Sequence, residues 1–260
     1  MKNIKPKKLR ITKTQRPNPS LTPEPSAPLY PMRINKYLAL KNYATRRGAD
    51  ELVERGKVFI NNARAVLGDK VNEGDHVEVH NSAKQKAYIY LAYNKPRGII
   101  THSPQHGEVD IKQNVAIRDV FPVGRLDKDS TGLLILTNDG RVTDRLLNPK
   151  HAHDKEYIVT TKNPLRSSFK AKMEVGVKIE AEMTKPCKVD IINENTFRIT
   201  LGEGKKHQIR RMCVALFQEV DTLKRVRIMN IILGKTAEGT YRKIEGAELK
   251  VFLTDLGLVG

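Results

Sequence analysis

Four consecutive aliphatic residues, Leu133 to Leu136, fill the segment GLLILTN and predict a buried strand. YIYLAYNKP predicts a second strand, closed by Pro96. KEYIVTT, CKVDIINENTFRITLG, VDTLKRVRIMNIIL and TYRKI add further strands in hairpin-like runs. Two segments change period. DGRVTDRLLNP predicts a helix that ends near Pro149, and HQIRRMCVALF one whose inner face carries Ile209, Met212, Cys213 and Leu216. Strands outnumber helices, so the pattern predicts an α+β fold with a mostly antiparallel sheet flanked by helices.

Closer to the N-terminus the pattern is that of a smaller unit. Ile34, Tyr37 and Leu38 share one helical face. Thr45 is a candidate N-cap for RRGADELVERG, a helix that stops at Gly56. KVFIN alternates as a strand, with Asn61-Asn62 as its turn, and VNEGDHVEV leads through Gly-Asp into another short strand. The predicted division is an arm at 1–31, a small αβ unit at 32–80, a polar linker at 81–87 and a larger α+β domain at 88–256. No repeat of 20 to 50 residues is visible.

Charge narrows the partners. The 260 residues hold 47 Lys and Arg against 29 Asp and Glu, a formal net charge of +18. Such an excess favours a polyanion, nucleic acid before membrane, because no apolar run approaches the roughly 18 residues of a spanning helix. The arm carries seven Lys/Arg, one Glu and seven Pro, and no apolar period. It reads as a disordered basic tail, either a nucleic-acid tether or a solvated end without a specific role. It lacks the apolar core of a secretory signal. Cys187 and Cys213 lie far apart in no metal spacing, which points to a reducing cytoplasm rather than a disulfide scaffold.

The chemistry concentrates in VGRLDKDSTGLLILTNDG, where Arg125, Asp127, Lys128 and Asp129 crowd the mouth of a core strand. An acidic surface turn explains them, and so does a reactive carboxylate held by an arginine. In an extended chain Arg125 and Asp127 share a face. Nothing here resembles a cofactor site: GEGKKH lacks P-loop spacing, and no dinucleotide fingerprint opens a βαβ unit. HAHD at 151–154 offers two histidines without a third ligand group, so no metal and no cofactor are expected.

Two stretches match known families. Residues 33–79, with Arg33, Thr45-Arg46-Arg47, GKVFIN and Gly74-Asp75, resemble an S4 domain, an RNA-binding module. GRLDKDSTGLLILTNDG resembles the signature of the ribosomal RNA pseudouridine synthases, and NKPRGIITH, KEYIV and GKKHQIRRM stand around it in that family's order. Within the group formed by small-subunit synthase A and large-subunit synthases B, E and F, the chain is most similar to the F branch. It departs from that branch at His207, where arginine is expected, and at Thr131, where glutamine is expected.

The resemblance implies an isomerase that detaches a uracil and rejoins it through C5, with ribosomal RNA, foremost 23S, as substrate and transfer RNA left open. It implies Asp127 as nucleophile, Arg210 as its guanidinium partner, Tyr157 as the aromatic against the base and Arg125 in displacing the target nucleotide. Leu223 is placed against the base or in the core. Arg33, Arg46, Arg47 and Lys57 of the S4 unit, with Lys95, Arg97, Lys155, His207 and Arg211, are the RNA-binding candidates. Lys95 and Arg97, and Arg46, Arg47 and Lys57, have a plainer reading as solvated surface charges. A monomer in the cytoplasm is expected. The rival class is a non-catalytic S4-type RNA-binding or ribosome-assembly factor, whose mark would be loss of Asp127, Tyr157 or Arg210; all three are present.

Overall fold

The computed structural model describes residues 30–41, 43–80, 87–101, 109–111, 115 and 120–258. The predicted arm up to residue 29 and the linker at 81–86 lie outside them.

In the first unit β1 (Met32–Arg33) leads into α1 (Ile34–Leu40), which buries Ile34 and Leu38 one turn apart. Helix α2 (Arg46–Glu54) begins at Thr45, whose hydroxyl accepts the Gly48 amide at 3.2 Å. Gly56 follows at φ +64°, the left-handed stop that the sequence predicts. Strand β2 (Val58–Ile60) turns through Asn61 and Asn62, both at positive φ, into β3 (Ala63–Arg64). Strand β4 (Lys70–Val71) pairs with β1, a link too short to show as a pattern, and β5 (Val77–Val79) pairs with β2. Leu38, Ala49, Val53, Val58 and Val71 are among the residues of its separate small core.

The larger unit runs β6 (Tyr90–Lys95), β7 (Phe121–Val123), β8 (Thr131–Thr137), α3 (Gly140–Leu147), β9 (Lys155–Thr161) and α4 (Phe169–Glu174). A short hairpin, β10 (Lys178–Ile179) and β11 (Glu182–Met183), precedes β12 (Lys188–Asn193) and β13 (Thr196–Leu201). Then come α5 (Gln208–Ala215), β14 (Val220–Ile228), β15 (Ile231–Ile232), β16 (Tyr241–Lys243) and α6 (Gly246–Asp255). One nine-stranded sheet has the order β12-β13-β9-β14-β8-β6-β16, with β15 on β14 and β7 on β8. Its pairs are antiparallel except β8 with β14, which run parallel. One core joins α4 and α5 to the β9, β12, β13 and β14 side through Met173, Phe197, Met212 and Cys213. Another joins α3 and α6 to β6 and β8 through Ile135, Val142 and Phe252. Among the described residues no helix is long and apolar enough to cross a membrane.

The far end of β8 is fixed by a buried carboxylate. Asp139, fully inaccessible, accepts the Tyr90 hydroxyl at 2.7 Å and the Arg141 guanidinium at 2.9 and 2.8 Å, and caps α3 through the Arg141 amide. Burial, then the Asp139 carboxylate, drives the Tyr90 phenol well above its ordinary range. Asp139→Ala would strand both partners. We expect a loss of about 3 kcal/mol in urea unfolding, since a buried group without its partner costs more than the bond was worth. An unchanged midpoint would show that the network carries no stability.

Candidate active site

The charged segment before β8 is a tight turn built over a buried ammonium. The Ser130 amide closes it on the Asp127 carbonyl at 3.0 Å. Below it Lys95, at the end of β6, has no exposed surface, and its Nζ donates to the carbonyls of Ser130 at 2.8 Å, Pro96 at 3.1 Å and Lys128 at 3.3 Å. Thr101 adds two bonds to the Leu126 backbone, through its carbonyl at 2.8 Å and its amide at 3.2 Å. Leu126 is thereby buried between an exposed Arg125 and a half-exposed Asp127. Burial pushes the Lys95 ammonium down to about 8, against the opposing pull of the Asp127 and Asp129 carboxylates. That pull places Asp127 within electrostatic reach of a desolvated cation.

Lys95 is therefore not on an RNA-facing groove, contrary to the sequence expectation. Its four-carbon stem turns inward, and carbonyl oxygens take the place of water. Arg97 next to it is exposed, and its Nε lies 3.5 Å from Asp129 Oδ1.

Helix α5 brings the second set. His207 stands before it in a left-handed conformation, φ +50°, which swings its Nδ1 to 3.1 Å from Asp127 Oδ2. Arg210, expected beside Asp127, instead reaches the Asp129 carbonyl at 3.3 Å and the Val220 carbonyl at 3.4 Å. The His207 imidazole thus contacts the Asp127 carboxylate directly, while Arg210, from the first turn of α5, is anchored to the same turn through the Asp129 carbonyl. Arg211 faces elsewhere, paired with Glu180 at 2.7 Å.

Strands β9 and β14 bring the third. Tyr157 lies half-buried on β9, directly across from Arg225 on β14, whose guanidinium carbon is 6.0 Å from the ring centroid. Leu223, two residues before Arg225 on the same face, is buried in the core that α5 covers, and Tyr157 packs against that core. Lys155, also on that face of β9, is only half-exposed. Its Nζ donates to the His153 carbonyl at 2.9 Å, and burial lowers its pKa.

Arg225 is a residue the sequence reading missed. It is 4% exposed, its Nε donates to the Leu133 carbonyl at 2.7 Å, and its Nη2 is buried without a partner. Its charge lowers the pKa of both Lys95 and Lys155. Three cations thus underlie the turn of Asp127 and the ring of Tyr157. An arginine in a strand pattern with no acidic neighbour was the available signal.

In the small unit Arg33, Arg46, Arg47 and Lys57 are all exposed. Arg33 and Arg46 share a basic concavity with Lys36 and Asn35, and Lys36 was not anticipated. Among the described residues no three ligating side chains gather as a metal site would need. Burial pushes the Cys213 thiol up to about 12 and that of Cys187 up to about 11, so neither is a thiolate at neutral pH.

Comparison with known proteins agrees with this geometry. A family model described as RNA pseudouridylate synthase matches residues 89–215, and an S4 domain matches 32–77. The chain is 40% identical over 224 residues to Dual-specificity RNA pseudouridine synthase RluF of Escherichia coli K12, covering 84% of this chain and 77% of that one. It is 33% identical over 230 residues to Ribosomal large subunit pseudouridine synthase B of Bacillus subtilis, covering 84% and 94%. A crystal structure of a pseudouridylate synthase superposes with a TM-score of 0.63 at 28% identity over 86% of this chain and 99% of the other. With relatives this similar along most of both chains, the protein belongs to the S4-containing RNA pseudouridine synthases, isomerases that convert uridine in RNA to pseudouridine.

Proposed function

We propose that this chain isomerises a uridine of large-subunit ribosomal RNA, with Asp127 as nucleophile. The observation that carries the reading is the convergence of three elements on the β8–β14 seam: the Asp127 turn, the start of α5 and the Tyr157–Arg225 pair. The target class is supported by the large-subunit function in the name of the Bacillus subtilis relative. The S4 unit at 32–80 docks RNA and the domain at 88–256 performs the reaction. We expect a monomer working in the cytoplasm.

The reaction breaks N1–C1′ and makes C5–C1′, so the C5 proton leaves and N1 ends protonated. A carboxylate that adds to the nucleotide and later departs divides this exchange into two easier steps. The attacking species is the carboxylate anion. His207 orients one oxygen of Asp127, and the other makes no hydrogen bond among the described residues. Tyr157 offers a ring face for the flipped base and a phenol for proton movement. Arg225 holds that ring from below, and its charge favours an anionic uracil at the moment of detachment. Arg125, exposed at the rim, enters the space that the flipped nucleotide vacates.

The test is tritium release from 5-tritiated uridine in large-subunit, small-subunit and transfer RNA transcripts. Release from the large-subunit transcript alone is expected. Release from the small-subunit transcript alone would reassign the target, and binding without release from any would favour an assembly factor.

Lys95 gives a second prediction. Lys95→Met removes the pin beneath the turn and should lower kcat about a hundredfold through misplacement of Asp127. RNA affinity and its salt slope should stay unchanged. A slope shallower by about one phosphate contact would return Lys95 to the groove. The sign of its pH effect is also fixed. Its folded pKa near 8 lies below the unfolded value near 10.4, so the charged form is penalised on folding. That penalty is complete below about pH 8 and is relieved as pH rises toward 10.4. Wild-type stability should show this rising component, and Lys95→Met should lose it.

A further inference from the structure

We propose that the C-terminal end of α5 carries a second RNA contact, a platform made by Phe217 and Arg166 on which an unpaired base of the substrate stacks. Phe217 follows the helix at φ +59°. Its amide bonds the Val214 carbonyl at 2.9 Å, and the Gln218 amide bonds the Cys213 carbonyl at 2.9 Å. That is the double bond pattern in which the left-handed position normally falls to glycine. An aromatic residue there is strained and gains nothing by burial, because Phe217 is 77% exposed.

The surroundings say what the ring serves. The Arg166 guanidinium carbon stands 5.0 Å from the ring centroid. Arg166 makes no ion pair among the described residues, so its charge is open to a ligand. The segment that presents it is tied to the helix end, for Gln218 donates to the Pro164 carbonyl at 3.1 Å and Lys162 pairs with Glu219. Arg166 also borders a small cavity of about 220 Å³, whose wall includes Lys170, Ile191, Asn193 and the acidic Glu194.

The platform is continuous with the candidate active site. Arg210 and Val214 stand at i and i+4 on one face of α5, Val214 is 65% exposed, and Phe217 follows just past the helix end. Helix α5 therefore links the guanidinium that bonds Asp129 to the exposed ring beyond its C-terminal end. Continuity with that end favours RNA over a protein partner, and here the inference rests on reading Asp127 and Arg210 as the catalytic end. An exposed ring with a guanidinium over it is a pairing on which single-stranded bases stack, and a net charge of +18 supplies the attraction.

The experiment compares wild type, Phe217→Gly, Arg166→Gln and Asp127→Asn. Binding is read by anisotropy with a labelled single-stranded oligouridylate of about 12 nucleotides and with an abasic strand of the same length. Phe217→Gly should raise Tm, because it relieves the left-handed strain, yet weaken oligouridylate binding roughly tenfold. Arg166→Gln should weaken it less. The abasic strand should bind wild type and Phe217→Gly alike. A raised Tm with unchanged affinity would overturn the proposal, leaving Phe217 as a strained surface residue. Concentration-dependent self-association of wild type that Phe217→Gly abolishes, with RNA affinity intact, would overturn it in favour of a second copy of the chain. Asp127→Asn separates the two readings. If it keeps turnover, the nucleophile assignment fails, while binding still reports on the platform.

Discussion

Asp127→Asn should lower tritium release by at least about 10⁴-fold while leaving RNA affinity within several-fold of wild type. The substitution is nearly isosteric. An asparagine side-chain oxygen still accepts from His207, whose Nδ1 lies 3.1 Å from the carboxylate, so the turn and the start of α5 stay in register. What disappears is the anionic oxygen that adds to the nucleotide. The buried Lys95 ammonium then faces one carboxylate fewer, which shifts its titration further down without moving its three carbonyl contacts. Circular dichroism and unfolding should be close to wild type, so loss of turnover is loss of chemistry. Turnover near wild type would remove Asp127 from the mechanism and leave the family's reaction without a nucleophile in this turn. Loss of both turnover and affinity would mean that the carboxylate organises the RNA-binding face, and the assignment would move from nucleophile to scaffold.

How far the site can be read in the sequence depends on what kind of atom does the holding. The Asp127 turn and the β8 strand are legible because side-chain types mark them: charges before an apolar run. The Thr45 cap and the Asn61-Asn62 turn are legible for the same reason, since the residue itself makes the bond or adopts the special φ. Lys95 is not legible. Its partners are three main-chain carbonyls, which any residue can supply, so nothing in the sequence separates it from exposed Arg97. The same holds for Arg225, bonded to the Leu133 carbonyl. That the His207 imidazole reaches Asp127 turns on one left-handed residue, which no glycine marks in the sequence. Strands as short as β1, β4, β10 and β11 carry too few positions for a period, and the parallel contact of β8 with β14 is a fact of topology rather than of pattern.

That parallel contact is where a single methyl group should do the most damage. Gly132, the second residue of β8, lies at φ +102°, in register with Arg225 of β14. A Cβ at position 132 would fall 2.2 Å from the Arg225 carbonyl oxygen and 2.8 Å from its amide nitrogen. Both are main-chain atoms, so no rotamer change relieves the overlap, and φ itself is one that alanine resists. Gly132→Ala must push β8 and β14 apart. The strain of overpacking and of the backbone together should cost about 3 kcal/mol or more, a fall of roughly 10 °C in Tm for a domain of this size. Activity should fall further than stability alone requires. Asp127 hangs from the start of β8, and Tyr157 is the cross-strand partner of Arg225, so separating the strands separates nucleophile from ring. kcat measured well below the lowered Tm should drop at least tenfold. Gly140→Ala is the control, because nothing lies within 4 Å of a Cβ there and the residue opens helix α3. It should leave kcat untouched and hold or raise Tm. If Gly132→Ala behaves like Gly140→Ala in both measurements, β8 and β14 are not in close contact at that point, and the seam does not set the spacing of the site.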